Sequence, residues 1–343
     1  MGTPTFETKL KAMRPTISIP AMLALWALFC AGRIFSPIAA GGAERPTLFP
    51  KLHAGQTFTY LIEYRTQKNV KTESRVVTPS GPQNDQAGAQ WLLRVEILDV
   101  HPDGRRAAIH ARSQFESVDS KQTDGKQGTG EGVPGAEGKP VEFTILSDGR
   151  ADAVTGIDAL FPEQRVAWQA WLRQVAIAGI FPRDGVKRGQ TWKSTEVEES
   201  PSPIVRLEWE KSATYVRDEP CAPVQLSELD AAAPKNPASE TCAVVLTHAI
   251  LKQKSSSKDT TPEDFRLHAL RTMGTASGTN ETITYISLQT GLVMRVKEDA
   301  KQFMDVVIAK TDGSNQVHYN VDAARHTEIL LLADAAPVAP AKP

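Results

Sequence analysis

The chain has 343 residues, 41% of them hydrophobic, with 39 Lys+Arg against 40 Asp+Glu. That length and apolar content can bury one large core or two medium ones. The balanced charge, with no basic stripe and no acidic tail, excludes the electrostatic footprint of a nucleic-acid-binding protein.

Lys9, Lys11 and Arg14 precede an apolar run over 17–31, and the small residues Pro37-Ile38-Ala39-Ala40-Gly41-Gly42 come after it. Charge, then oil, then small residues is the order of an export signal, with cleavage expected near residues 40–43. A membrane-spanning helix needs about twenty apolar residues. The run is shorter, holds Pro20, and reaches that length only by burying Arg33, which costs a few kcal/mol. An uncleaved N-terminal anchor over 1–40 and a lipoprotein lipidated at Cys30 remain as alternatives. Phe29 fits the second poorly, because a small residue is favoured just before a lipidated cysteine. On any of these readings the rest of the chain works outside the cytoplasm, in the periplasm or secreted. It touches a membrane only through the N-terminal segment, if that segment is retained.

Strand signals dominate the remainder of the chain. Phe58, Tyr60, Ile62 and Tyr64 alternate with polar residues, as do Trp91, Leu93, Val95 and Ile97, and then Ala107, Ile109, Ala111 and Phe115. Period two places one face of each run in a core. His101-Pro102-Asp103-Gly104 reads as a hairpin turn, so 91–100 and 105–115 are expected to pair antiparallel. The same reasoning predicts strands at 141–146, 204–215, 243–252, 265–272, 282–288, 292–297, 303–310, 316–321 and 327–332. Turns at Gln289-Thr290-Gly291 and Thr311-Asp312-Gly313 separate several of them. Strands joined by turns rather than helices predict antiparallel sheets, a mainly β fold of the α+β kind.

One helix interrupts the pattern over about 162–178. Pro162 suits its first position. Trp168, Trp171, Leu172 and Val175 then form a single apolar stripe, and Gly179 and Pro182 stop it. The stripe is expected to pack on a sheet. On either side of this helix the chain echoes itself. Phe49-Pro50-Lys51 leads to Gly55-Gln56-Thr57-Phe58, and Phe181-Pro182-Arg183 leads to Gly189-Gln190-Thr191-Trp192. Phe143 to Asp148-Gly149 resembles Tyr285 to Thr290-Gly291 at nearly the same offset. Two such echoes suggest a duplicated β unit, 47–179 and then 180–334. Residues 119–139 and 252–264 read as loops, and 335–343 as a disordered tail.

Of three cysteines, Cys30 lies in the N-terminal segment. In an exported chain the remaining pair, Cys221 and Cys242, is most simply a disulfide that staples an Ala- and Pro-containing insertion. Their spacing is far wider than that of a redox-active Cys-x-x-Cys pair.

The chemistry-bearing motifs are mostly excluded. A phosphate cradle requires Gly five residues before Gly-Lys, but Val133 stands five before Gly138-Lys139 and Pro140 comes next. No Gly-x-Ser-x-Gly elbow or His-Glu-x-x-His helix is present. The seven histidines show no pair at metal spacing. His110, His268 and His318 are expected to face solvent. His248 shares a strand face with Val244, Leu246 and Ile250 and is expected to be half-buried, either as a packed core residue or as a base in a site assembled from distant residues. Glu196, Glu198 and Glu199 read as a solvated strand end, and Asn280-Glu281-Thr282 as a formal glycosylation sequon. Phe58, Tyr60 and Tyr64, with Trp91, Trp192 and Trp209 elsewhere, are either sheet core or the lining of an apolar pocket. No catalytic residue, metal ligand or cofactor is expected.

The Gly-Gln-Thr-aromatic entries and the hairpin Tyr285-Ile286-Ser287-Leu288-Gln289-Thr290-Gly291-Leu292 resemble those of uncharacterised exported β-rich bacterial proteins. The hairpin also distantly resembles the sheets of periplasmic lipoprotein carriers, half-barrels that hold lipid against a helix. The resemblance implies a non-catalytic envelope protein whose partner is a lipid or other apolar ligand, or another envelope protein. A structural or adhesive module with 119–139 as a contact loop, and an extracytoplasmic hydrolase, are the competing expectations.

Overall fold

The computed structural model describes residues 46–74, 83–103, 106–116, 138–147, 149–175, 181–182, 184–198, 202–225, 240–254 and 261–333. The N-terminal segment, the C-terminal tail and the loop expected at 119–139 lie outside them, apart from residues 138 and 139. Among the described residues eleven strands form a single sheet, and each neighbouring pair is antiparallel. In chain order they are β1 (Thr57–Ser74), β2 (Gln83–Asp103), β3 (Arg106–Glu116), β4 (Val141–Ile145), β5 (Ala151–Thr155), β6 (Thr191–Val197), β7 (Leu207–Cys221), β8 (Glu240–Gln253), β9 (Leu270–Ser287), β10 (Val293–Lys310) and β11 (Val317–Leu331). Helix α1 (Pro162–Val175) separates β5 from β6, and a short α2 (Glu263–Leu267) precedes β9.

The spatial order is β5-β4-β3-β2-β1-β11-β10-β9-β8-β7-β6. The chain therefore starts mid-sheet and winds outward to one end. It crosses by way of α1 to the other end, then winds back until β11 closes onto β1. Both echoing halves belong to the same sheet. Their entry turns are congruent in detail. The amides of His53 and Lys187 donate to the side-chain oxygens of Gln56 and Gln190 at 2.7 and 2.9 Å. Gly55 and Gly189, both at positive φ, donate to the carbonyls of Ile97 and Tyr215 at 2.7 and 2.6 Å, and the amides of those residues donate back to Gln56 and Gln190. A bulge follows Ile97 in β2 and Tyr215 in β7. The repeated Gly-Gln-Thr thus encodes a repeated piece of backbone. Gly supplies the left-handed residue, and Gln satisfies an amide that the turn leaves open.

The second echo is a turn as well. Gly149 donates to Leu146 and Gly291 to Ser287, at 2.7 and 2.9 Å. At Gly291 a β-carbon would lie 2.1 Å from the carbonyl oxygen of Phe49, at φ 71°. Gly291→Ala is therefore expected to cost about 2 kcal/mol or more in urea unfolding, because the clash forces backbone to move and the left-handed conformation adds strain.

α1 lies across one face of the sheet, the inner face. Trp168 meets Phe143 of β4 with ring centroids 5.7 Å apart and donates its indole N–H to Ser113 of β3 at 2.8 Å. Trp171 meets Tyr60 of β1 at 5.9 Å, and Gln174 donates to Glu298 of β10 at 2.8 Å. Fourteen helical residues span ~21 Å, close to the five strand spacings of ~4.8 Å between β4 and β10. Ile62, Leu93, Ile109, Phe115 and Ile329 fill the core beneath. A smaller core, built on Ile204, Trp209, Leu251 and Val306, serves β7 to β10.

Cys221 at the end of β7 and Cys242 near the start of β8 are disulfide-bonded, with Cα atoms 5.8 Å apart and a sequence separation of 21. Cys221→Ser is expected to lower unfolding free energy by about 3 kcal/mol, the entropy of freeing that loop. Urea titrations of oxidised wild type and variant measure it.

Several strands run longer than predicted. The segments 292–297 and 303–310 are one strand, β10, and 316–321 and 327–332 are another, β11. The strand expected at 265–272 is replaced in its first half by α2. β5 is an end strand with little to bury, its residues half-buried or exposed, and it left no apolar alternation to read.

Candidate functional site

The inner face changes character along the strands. Near α1 it is apolar. Phe58, Tyr60, Val95, Ile109, Phe143 and Trp171, among others, line a cavity of about 20 Å³ between the helix and the sheet. That is room for about one water molecule. Phe58 and Tyr60, read as core or pocket lining, therefore do both. Trp91 and Trp192 belong to the main core and Trp209 to the smaller one. Tyr60 is 2% exposed, and burial pushes its phenol well above the usual tyrosine value, so it stays protonated and able to donate.

Further along the same face the row turns polar. Tyr64, Thr327, Glu298 and Thr282 stand directly opposite one another across β1, β11, β10 and β9, and Thr66, Arg325, Ala300 and Asn280 form the next row. Glu298 is 4% exposed. It accepts from Arg325 Nη2 at 2.6 Å, Gln174 Nε2 at 2.8 Å and Asn280 Nδ2 at 3.0 Å. Burial alone would raise its carboxyl pKa. The Arg325 and Arg173 guanidiniums and the hydrogen bonds outweigh that, so the net shift is downward. Thr282 in turn donates to Asn280 Oδ1 at 2.9 Å. The asparagine of the formal sequon is thus part of a hydrogen-bonded cluster beneath the last turn of α1. Sequence reasoning missed this cluster. Its only trace was the loss of apolar alternation at Glu298 and Arg325.

The outer face is charged. Lys254 pairs with Glu208 at 2.6 Å, Arg112 with Glu142 at 2.7 Å, and Arg295 with Glu328. His248, Glu281, Asp299, His326 and Arg65 occupy one continuous cross-strand row from β8 to β1. Charges on a lipid-facing strand cost about 2–4 kcal/mol each near the bilayer midplane, so this face is made for water.

His248 corrects the expectation of half-burial. Its side chain is 55% exposed, and Glu281 stands 3.3 Å away. It lies on the outer face because Val244 and Leu246 do too. Val244 on that face is buried and Leu246 half-buried, while His248 reaches water. Among the described residues nothing closes the pair off from water: the two side chains are 55% and 68% exposed. His318, expected in solvent, is partly exposed and bonded to Asp305, which is the leading cause of its raised pKa.

The acidic strand end is less free than expected. Glu196 pairs with Lys211, and Glu198 accepts the indole N–H of Trp209 at 2.6 Å; Glu199 lies outside the described residues. Among the described residues no three His, Cys, Asp or Glu side chains converge in a metal-holding arrangement. Among them, too, no helix is long and apolar enough to cross a membrane.

No family model matches the chain, and no curated protein matches it. Among solved structures, a mutant porin of Rh. blastica aligns over 80% of this chain and 100% of its own, at 9% identity and a TM-score of 0.19. OpdQ of Pseudomonas aeruginosa aligns over 81% and 98%, at 7% identity and a TM-score of 0.16. These likenesses are too low to carry a reading of fold or function, and they leave the β-rich architecture to stand on the strand pairing itself.

Proposed function

We propose that this protein is a non-catalytic extracytoplasmic protein that binds an apolar ligand between α1 and the inner face of its sheet. The observation that carries the reading is the seat of α1. A helix whose apolar stripe ends in Trp171 and Val175 rests over a cavity walled almost wholly by hydrocarbon. The Cys221–Cys242 disulfide supports an oxidising compartment, hence export. A sheet with a helix held against one face is also in keeping with the resemblance to lipoprotein carriers.

The cavity is small for the task. Small-molecule pockets occupy ~300–1,000 Å³, so a ligand enters only if α1 shifts away from the sheet. The helix then acts as a displaceable plug, whose side chains hold the place of the ligand's hydrocarbon.

The test is solvent extraction of the purified protein followed by mass spectrometry, with titration of the stripped protein by N-phenyl-1-naphthylamine, an uncharged apolar dye. Saturable 1:1 binding that weakens at least fivefold in Val175→Asp is expected. An empty extract together with no saturable dye binding would remove the ligand reading.

A further inference from the structure

The sheet ends in two edge strands, β5 and β6, and they are built differently. β5 is blocked against further pairing. It has five residues, Ala153 within it sits at φ 50°, and its register with β4 shifts between Glu142 and Thr144. A short edge broken by a bulge is one way a sheet avoids pairing with other chains. β6 carries no such block. Its seven residues pair with β7 in unbroken register, and among the described residues they pair with no other strand. No proline interrupts them, and Thr191, Thr195 and Val197 are β-branched.

The ladder with β7 fixes which backbone groups of β6 point outward. Tyr215 donates to the Gln190 carbonyl at 3.1 Å and Glu198 to the Leu207 carbonyl at 2.9 Å, so the even-numbered residues bond to β7. Residues of an antiparallel strand bond alternately to one side and the other. The N–H and C=O groups of Thr191, Lys193, Thr195 and Val197 therefore point away from the sheet. β1, entered by the same turn, shows what such an edge accepts. Its Thr59, which holds the place of Lys193, accepts the amide of Leu332 at 2.9 Å, and β11 pairs along β1 from Leu331 to Val317. All eleven described strands are already placed, so none is left to do the same for β6.

We propose that β6 pairs with β6 of a second copy of this chain, antiparallel about a two-fold axis at Ser194. The strand is complementary to itself in that register. A two-fold axis normal to the sheet keeps like faces together, so residues of the same parity meet. Centring on Ser194 overlaps all seven residues and puts every outward group in a hydrogen-bonded pair, Thr191 with the partner's Val197 and Lys193 with the partner's Thr195. On the inner face Trp192 meets the partner's Glu196. No like charges are opposed, whereas centring on Glu196 would set two carboxylates face to face. Centring on Thr195 would leave Thr191 outside the overlap. Val197, 59% exposed in the single chain, gains a β-branched neighbour. The pairing joins two sheets edge to edge and makes no use of the cavity under α1.

Sedimentation velocity of the full mature chain tests the proposal. The contact is small, so the dimer is expected to be reversible and to form over about 10–100 μM. Thr195→Pro removes one outward N–H and leaves the β7 ladder whole, and it should weaken association about tenfold. Thr195→Lys sets a like charge against Lys193 of the other copy, while within its own chain Glu210 stands opposite. It should weaken association to a similar extent, with the urea midpoint of the monomer unchanged or raised. Val154→Lys, on β5, should leave association as it is. A chain still monomeric at the top of that concentration range would overturn self-pairing and leave the β6 edge to a strand from another protein. A dimer that neither Thr195 variant weakens, or one that Val154→Lys dissociates, would put the contact elsewhere and overturn the proposal as well.

Discussion

Trp168→Ala is expected to cost about 4 kcal/mol of unfolding free energy, the range for a fully buried tryptophan. The side chain is 1% exposed and packs edge-on against Phe143, with Trp171 beside it at 6.3 Å. Its removal leaves a cavity at the point where α1 meets β3 and β4, and it takes from the Ser113 hydroxyl, itself 1% exposed, the donor it accepts from, leaving only its bond to the Val141 carbonyl. The phenylalanine variants separate the two contributions. Trp168→Phe and Trp171→Phe remove the same atoms from neighbouring turns of one helix, but only the first breaks a hydrogen bond. Trp168→Phe is therefore expected to be worse by about 1 kcal/mol. Urea midpoints at unchanged slope measure both. Equal losses would show that the Ser113 bond contributes nothing.

Much of this architecture is written in local pattern. The apolar alternation at 58–64, 91–97 and 109–115 marked the strands that form the floor beneath α1, and the spacing of Trp168, Trp171 and Val175 marked the face of the helix that meets them. Gly-Gln-Thr was visible as an echo because one turn geometry demands those residue types twice. The disulfide was visible because, once export was expected, Cys221 and Cys242 left a single pairing. What failed to show itself was long-range. Periodicity assumes that inner faces are apolar, so β10 and β11 were each cut in two where Glu298 and Arg325 face inward. Those residues become intelligible only as partners. They stand on adjacent strands but far apart in sequence, and the third member, Gln174, arrives from a helix that lies across the strands. His248 failed for a related reason. Its apolar neighbours on the strand placed it on a covered face, yet cover depends on what the adjacent strand offers, and β9 offers Glu281. The cavity was equally illegible, since its walls come from segments far apart in sequence.

That cross-sheet cluster carries the second large effect. Glu298→Ala is expected to destabilise the protein by about 3 kcal/mol. It leaves the Arg325 guanidinium, whose side chain is 27% exposed, without its carboxylate, and it frees Gln174 and Asn280 as well. Breaking a buried pair by removing one partner costs about 3–5 kcal/mol, and the lower end applies because the arginine still reaches some water. The paired change Glu298→Leu with Arg325→Met should cost far less than the sum of the single variants, since no charge is then left behind. Acid gives an independent measure. The folded-state pKa of Glu298 lies below the usual glutamate value of 4.5, so the folded protein binds this proton less readily than the unfolded chain does. The stabilisation is complete above about pH 5 and is lost as pH falls through the folded-state value. Glu298→Gln keeps the shape and removes the titration, so stability measured from about pH 5 down to about pH 3 should fall less steeply than in the wild type. Parallel acid limbs would mean that other carboxylates dominate and that the last turn of α1 is held by its tryptophans alone.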